Sequence, residues 1–476
     1  MVRRVHLVVF LLFLFSSIAA AANAQDGSST FKPNVVLIYC DDLGYGDLGC
    51  YGAKGWKTPR LDQMASEGVR LTNFCTAAAV CSASRAALLT GCYPQRIGIL
   101  GALGPKSKNG IHDDETLISE VLQQRGYATA CFGKWHLGHH PPFSPLKHGF
   151  ERYYGLPYSN DMWPKHPEDP NYPPLPLIDQ DQVVETNPDQ SKLTDAYTRR
   201  AIGFIRENRA KPFFVYVAHS MPHVPLFASK DFAGKSEQGL YGDVIQEIDD
   251  SVGRILDTLA ECGLDERTIV IFSSDNGPWL SYGNHAGSSG GLREGKGTTW
   301  EGGMRVPCLV RWPTRIPAGK TLDTFMSTMD LAPTIAKVAG GSMSKNKIID
   351  GHDVMPVLVG RTTESPWKVF NYYWDYQLEA VRKENWKLHF PHSYRALTGK
   401  PGKDGKPNGY SQKKTVAALY DLESDPTEKV DVAADHPEVV AELTKLAEES
   451  RADLGDSLSK KPGKNRRPAG EVMTVE

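Results

Sequence analysis

Four continuous apolar runs, rich in β-branched and aromatic residues, recur along the chain: "NVVLIYC" (34–40), "YATACFG" (127–133), "FFVYVAH" (213–219) and "TIVIFSSD" (268–275). A strand without polar alternation is one covered on both faces. Between these runs the apolar spacing lengthens to three and four, as in "LISEVLQQRGY" and "YGDVIQEIDDSVGRILDTLAECGL". In the second, Val244, Ile248, Val252, Ile255, Leu256 and Leu259 share a helical face, and Gly263 supplies the stop. Strand–helix alternation with apolar strands predicts an α/β domain, a mostly parallel sheet flanked by helices, over residues 25–360. Near residue 360 the pattern changes: "WKVFNYYWD", "EAVRKENWKLHF" and "AALYDLE" read as short strands interrupted by the Gly/Pro/Lys loop "TGKPGKDGKPNG". A helix with Val439, Leu443 and Leu446 on one face follows, which predicts a smaller α+β domain, an antiparallel sheet plus a helix, over 361–456. The basic tail, 457–476, is expected to be a disordered end.

Residues 1–24 depart from this alternation. Arg3 and Arg4 precede the apolar stretch Leu7–Phe15, and Ala22-Asn23-Ala24 forms an A-x-A cleavage site, the layout of a secretory signal peptide. No later run of about 18 apolar residues occurs, so the expectation is a secreted or periplasmic protein with no membrane association after cleavage. The 476-residue chain is 40% hydrophobic and 23% charged, and its net charge of −2 gives no footprint for nucleic acid. Export permits disulfides, yet the eight cysteines show no repeated spacing and no C-x-x-C, which argues against a disulfide framework and a structural zinc site. No N-x-S/T sequon occurs.

The residues that end the apolar strands carry the candidate chemistry. The first strand runs into Asp41-Asp42 and the fourth into Asp275-Asn276; the second delivers Lys134 and His136, the third His219 and His223. Ligands of open α/β sheets bind beyond the carboxyl ends of the strands, so these side chains gather on one side. Either acidic pair alone reads as a turn or helix cap; two pairs at equivalent strand ends shift the reading toward a site for Ca²⁺ or Mg²⁺. Pro222 and Pro225 argue against the helix that a zinc-binding His219/His223 pair requires. The glycine-rich "GKGTTWEGGMRVP" (295–307) allows close approach to a ligand and offers Lys296 to an oxyanion, without P-loop spacing. In "VCSASRAALLTG" (80–91), Cys81 opens a helix that Gly91 ends. A helix N-terminus favours negative charge, which would activate a nucleophile and welcome an anion, and Arg85 follows one turn later on the same face. The spacing is C-x-x-x-R, two residues short of a tyrosine-phosphatase loop.

Cys81-Ser82-Ala83-Ser84-Arg85 followed by "AALLTG" resembles the signature of the type I sulfatases. "PNVVLIYCDDLGYGDLGCYG", "GKWHLG", "PHVP", "SSDNG" and "GKGTTWEGG" resemble further blocks of that family, in family order, between residues 33 and 435. "SPLKHGFERYYGLPYS" and "YGDVIQEIDDSVGRIL" are most similar to its arylsulfatase A and N-acetylgalactosamine-6-sulfatase branches. The resemblance implies an alkaline-phosphatase-like fold and hydrolysis of sulfate esters of carbohydrates, with aryl sulfates as test substrates. It implies that a formylglycine-generating enzyme oxidises Cys81 to Cα-formylglycine, whose hydrate attacks sulfur through one hydroxyl and releases sulfate through the other. It further implies Ca²⁺ (or Mg²⁺) held by Asp41, Asp42, Asp275, Asn276 and residue 81. Arg85 and Lys134 would orient the hydrated aldehyde with His136 beside them. Lys134, His223 and Lys296 would contact the substrate, the last two gripping sulfate and protonating the departing alcohol. Ser159, in "GLPYSND", matches a pocket serine. Ala83 stands where the commonest form of the signature has proline. Two other readings remain: a phosphonate or phosphate ester hydrolase of the same superfamily, and a non-catalytic binder of sulfated glycans if Cys81 stays a thiol.

Overall fold

Successive side chains of a strand point to opposite faces, and the strand Asn34–Cys40 is buried throughout because both of its faces are covered. In the computed structural model, which describes residues 32–344 and 346–472, Val35, Leu37 and Tyr39 share a core with Leu88 and Leu89 of the helix Cys81–Thr90 and Ile335 of the helix Leu331–Val338. Val36, Ile38 and Cys40 share the opposite core with Tyr197 of the helix Leu193–Glu207 and with Val244, Ile248 and Val252 of the helix Leu240–Glu261. The signal-peptide expectation lies outside the described residues.

The four expected strands are Asn34–Cys40, Ala128–Gly133, Phe213–Ala218 and Thr268–Ser274. With Arg152–Gly155 they form the parallel centre of a ten-stranded sheet, in the order Thr268–Ser274, Asn34–Cys40, Phe213–Ala218, Ala128–Gly133, Arg152–Gly155. Its flanking strands are mostly antiparallel. Cys40 stands opposite Ser274, Tyr39 opposite Ala218, and Ala218 opposite Gly133. The register therefore releases four chains from one edge, and Asp41, Lys134, His219 and Asp275 are the residues that leave it.

From Phe370 onward the chain builds a four-stranded antiparallel sheet, in the order Phe370–Trp374, Gln377–Lys383, Trp386–His389, Ala418–Asp421. The helix Pro437–Leu454 joins its core through Leu443, Ala447 and Leu454. The pattern change near 360 is a change of sheet, since the chain from Pro33 onward is one compact unit. A buried ion cluster joins the parts. Lys387 Nζ lies 3.0 Å from Glu301 and 2.8 Å from Glu428, all wholly buried, and donates to the Thr299 carbonyl at 2.8 Å. Burial alone would raise the pKa of Glu301, but Lys387 and Arg305 hold it well below the usual range.

One strand pair was not expected, and one expectation is corrected. The strands His392–Leu397 and Tyr410–Thr415 form a hairpin around the Gly/Pro/Lys loop; the second is polar and largely exposed, so it carries no apolar period. The tail is ordered through Val472: Gly470–Glu471 pairs antiparallel with Asn109–Gly110, and Arg467 grips Glu115 through bonds of 2.7 and 2.8 Å. Two of its basic residues, Lys461 and Arg467, find carboxylates, Glu448 and Glu115, that the local sequence does not announce. Among the described residues no helix is long and apolar enough to cross a membrane, and all eight cysteines are unpaired.

Replacing Lys387 by methionine leaves Glu428 buried without its cation and Glu301 with Arg305 alone. Lys387→Met should lower unfolding free energy by about 3–5 kcal/mol, read from denaturant midpoints; an unchanged midpoint would contradict the structural weight given to this cluster.

Candidate active site

Every residue of the helix Cys81–Thr90 is buried, which its small residues permit. Ser84 Oγ lies 3.2 Å from Tyr39 Oη and 2.5 Å from Thr76 Oγ1, while Ser82 Oγ accepts from the Leu103 N–H at 2.9 Å. Val80 occupies the cap position and no side chain caps the helix start, where the Ala83 N–H is taken by the Gly101 carbonyl at 3.2 Å. Cys81 Sγ lies there, 3.3 Å from Asp41 Oδ1 and 3.4 Å from Lys296 Nζ. The expectation of an acidic thiol is not met. Burial, with the Asp41 carboxylate adding to it, pushes the Cys81 pKa well above its ordinary value against the opposing charges of Lys134 and Lys296.

The carboxylates and cations alternate around this point. Lys134 Nζ bonds Asp41 Oδ2 and donates to Ser159 Oγ at 3.2 Å. Burial would raise the Asp41 pKa, but Lys134, with His223, Arg85 and Lys296, holds it well below the usual range. Arg85 donates to Asp275 Oδ2 through Nε at 3.1 Å and Nη2 at 2.8 Å, and through Nη1 to the Lys134 carbonyl at 3.2 Å. Asp275 Oδ1 accepts the Asp42 N–H at 3.1 Å. Burial, then the neighbouring Asp41 charge, raises the Asp275 pKa to about 7. Lys296 Nζ is 2.7 and 2.8 Å from the Asp42 oxygens and sits 4.5 Å over the Trp279 ring.

The histidines separate into three environments. His223 Nδ1 is 2.5 Å from the Val224 carbonyl, which can only accept, so Nδ1 carries the proton and Nε2 faces Asp42 Oδ2 at 3.6 Å. His136 is buried with neither ring nitrogen partnered among the described residues; burial and then the Lys134 charge hold it neutral. His219 turns away to Ser251 Oγ at 3.2 Å, and burial lowers its pKa to about 4. Asp42 and His136 both adopt left-handed backbone, with φ of 63° and 61°, a conformation uncommon for such residues and concentrated at functional sites.

The residues fit a divalent cation. Asn276 Nδ2 donates to Asp42 Oδ1 at 2.7 Å, while its buried Oδ1 has no partner among the described residues. An orphaned buried acceptor is costly, and beside three carboxylates it completes a hard-oxygen donor set. Ligand atoms of Asp41, Asp42, Cys81 and His223 lie within 4.8 Å of one another.

The eleven residues named by the resemblance thus lie in one constellation, while His219, which the strand ends also deliver, turns out of it to Ser251. Sequence reasoning missed two neighbours. Trp279 was unmarked beyond its place after "SSDNG". Arg395 comes from the hairpin and donates to the Lys296 backbone carbonyl through Nε at 3.0 Å and also through Nη2. It lies 99 residues further along, in another sheet, where no local motif marks it.

Carboxylates, cations and a neutral imidazole at the strand ends of an α/β sheet are the arrangement of a hydrolase for anionic esters. The sulfatase family profile matches residues 33–342, and that of the C-terminal region of aryl-sulfatase matches 365–471. Canine N-acetylgalactosamine-6-sulfatase is 40% identical over 391 residues, covering 78% of this chain and 74% of that protein. Human arylsulfatase A is 39% identical over 444 residues, 87% of each. The solved PsFucS1 sulfatase from Pseudoalteromonas sp. superposes with a TM-score of 0.80 over 92% of each chain at 27% identity. The phosphonate monoester hydrolase of Agrobacterium radiobacter shares the fold, with a TM-score of 0.58 at 20% identity over 88% of this chain and 95% of that one. The chain belongs to the sulfatase family and is a sulfuric ester hydrolase.

Gly297 follows Lys296 with φ of 79°, and a Cβ there would meet Arg395 Cζ at 2.3 Å. Gly297→Ala should therefore displace the Lys296 loop and lower kcat/KM on an aryl sulfate by about tenfold or more. Wild-type kinetics in this variant would show that Lys296 does not depend on the contact.

Proposed function

We propose that the protein is an exported sulfatase that removes sulfate from sulfated carbohydrates, with residue 81 as formylglycine and a bound Ca²⁺ (or Mg²⁺). The observation that carries this reading is the placement of Cys81 Sγ between the Asp41 carboxylate and the Lys296 ammonium at an uncapped helix start. As a buried, protonated thiol the unmodified side chain is a poor nucleophile. Its hydrated aldehyde form supplies a hydroxyl nucleophile and, in the second hydroxyl, a route to regeneration without water attack. When bound, the cation supplies charge neutralisation on the sulfate oxygens.

The chain's own residues do the rest. Asp41, Asp42, Asp275 and Asn276 hold the cation, and Arg85 fixes Asp275 so that this carboxylate keeps its aim. Lys134, assisted by Ser159, and Lys296 receive sulfate oxygens, where fixed charges in a dry site stabilise developing negative charge more than water does. His223, its Nδ1–H held by the Val224 carbonyl, presents Nε2 to the departing alcohol and, when the ring is doubly protonated beside Asp42, gives it the Nε2 proton and reverts to the neutral ring. Neutral His136 lies beside Lys134 without adding a competing charge. Export through the residue 1–24 signal and maturation by a formylglycine-generating enzyme belong to the same proposal. The phosphonate hydrolase alternative rests on a fold likeness at 20% identity, against 39–40% to the mammalian sulfatases.

In protein from a host with the maturation system, the peptide carrying residue 81 should show the aldehyde mass by mass spectrometry. Cys81→Ala should lose at least about 10³ in kcat, and Lys134→Ala or Lys296→Ala about 10²–10³ each. A persistent thiol in fully active protein would sink the mechanism. Chelation should abolish aryl sulfate hydrolysis and added Ca²⁺ restore it, with Asp41→Asn weakening Ca²⁺ affinity at least about tenfold by calorimetry; full activity in exhaustively chelated protein would remove the cation from the proposal.

A further inference from the structure

The connection 398–409 between the strands His392–Leu397 and Tyr410–Thr415 is a built turn, though its composition suggests flexible punctuation. Lys403 and Lys406 exchange two backbone hydrogen bonds of 3.0 Å, and Asn408 Nδ2 donates to the Thr398 carbonyl at 2.8 Å and the Lys400 carbonyl at 2.5 Å. The turn is fastened to the segment that follows Trp279. The Gly402 and Asn408 N–H groups both donate to the Ser281 carbonyl, at 2.8 and 2.9 Å, and Asn284 exchanges two 2.8 Å bonds with Asp404. At its root Arg395 holds the Lys296 carbonyl. The hairpin is thus continuous with the loop that carries an active-site lysine.

Its charge is one-sided. From His392 to Thr415, Arg395, Lys400, Lys403, Lys406, Lys413 and Lys414 stand against a single carboxylate, Asp404, in a chain of net charge −2. The five lysines are all exposed. Asp404 is engaged by Asn284, with Lys403 3.9 Å away; the other four lysines enter no ion pair among the described residues. Clustered like charges do not help the hairpin fold, but a rigid positive surface draws and orients a polyanion. Beside it, Asn284 also lines a 450 Å³ cavity with Trp56 and Tyr241, an aromatic wall with nearby amide groups that suits a sugar ring.

We propose that the hairpin His392–Thr415 is a receiving surface for a multiply sulfated glycan, binding anionic groups remote from the ester that enters the active site. The proposal rests on the sulfatase reading above and narrows its substrate class to polyanionic chains. The test uses matured full-length protein, with 4-nitrophenyl sulfate as substrate and a highly sulfated dextran hexasaccharide as competitor. The neutral hexasaccharide and a DNA oligomer of equal charge are controls. The sulfated hexasaccharide should inhibit competitively, with a Ki that rises with salt. In the variant Lys400→Ser/Lys403→Ser/Lys406→Ser the ratio of its Ki to the KM for 4-nitrophenyl sulfate should rise roughly tenfold, with a shallower salt dependence. An unchanged ratio overturns the proposal, as does equal, lysine-dependent inhibition by DNA, which would make the hairpin a general polyanion surface. If the matured wild type fails to hydrolyse 4-nitrophenyl sulfate, the reaction is misread. Direct calorimetry of the same hexasaccharide with both proteins then still decides the hairpin: a roughly tenfold weaker fit for the variant supports it, equal affinity overturns it.

Discussion

The wholly buried ion pair between Arg85 and Asp275 is the interaction on which the site depends. Arg85 belongs to the helix that Cys81 begins, and Asp275 leaves the strand Thr268–Ser274. Their two-donor contact locks the helix to the sheet in one register, and residue 81 inherits its position from that lock. Buried ion pairs are weak evidence of stability because desolvation opposes them; their clearest effect here is to fix geometry. Sheet register does the complementary work. Cys40 lies opposite Ser274, so Asp41 and Asp275 emerge as neighbours before any side chain has been chosen.

Much of this was legible in the sequence, for a physical reason. Parallel strands covered on both faces must be apolar throughout, so "NVVLIYC" and "TIVIFSSD" announce themselves, and the polar residues that end them stand out by contrast. The hairpin His392–Thr415 was not legible as strand, because an edge ribbon with a solvated face carries no apolar period. Arg395 could not be assigned because its partner, the Lys296 carbonyl, is a backbone atom of a loop 99 residues away. The acidic thiol was inferred from a helix end alone; the structure adds the burial and the Asp41 carboxylate, both of which act in the opposite direction. The tail was read from its charge, while its order comes from Glu115 and the strand Asn109–Gly110.

Two C-terminal sheets each grip the loop that carries Lys296. Lys387 of the four-stranded sheet holds the Thr299 carbonyl and Glu301, and Arg395 of the hairpin holds the Lys296 carbonyl, so the stretch between them cannot drift independently of the chain that follows Phe370. A family boundary drawn between residues 342 and 365 therefore separates two stretches of sequence that share one functional loop.

Residue 81 is 2% accessible in a helix with no exposed position. On the reading proposed for it, the thiol must be altered while the chain is still open, because a second protein cannot insert itself into a closed interior. Maturation and folding then compete in time, and whichever is faster decides what fraction of the finished molecules can ever work. A slow-closing chain has the advantage in that race, which sets a limit on how far rapid folding can be favoured without producing well-packed but inert copies.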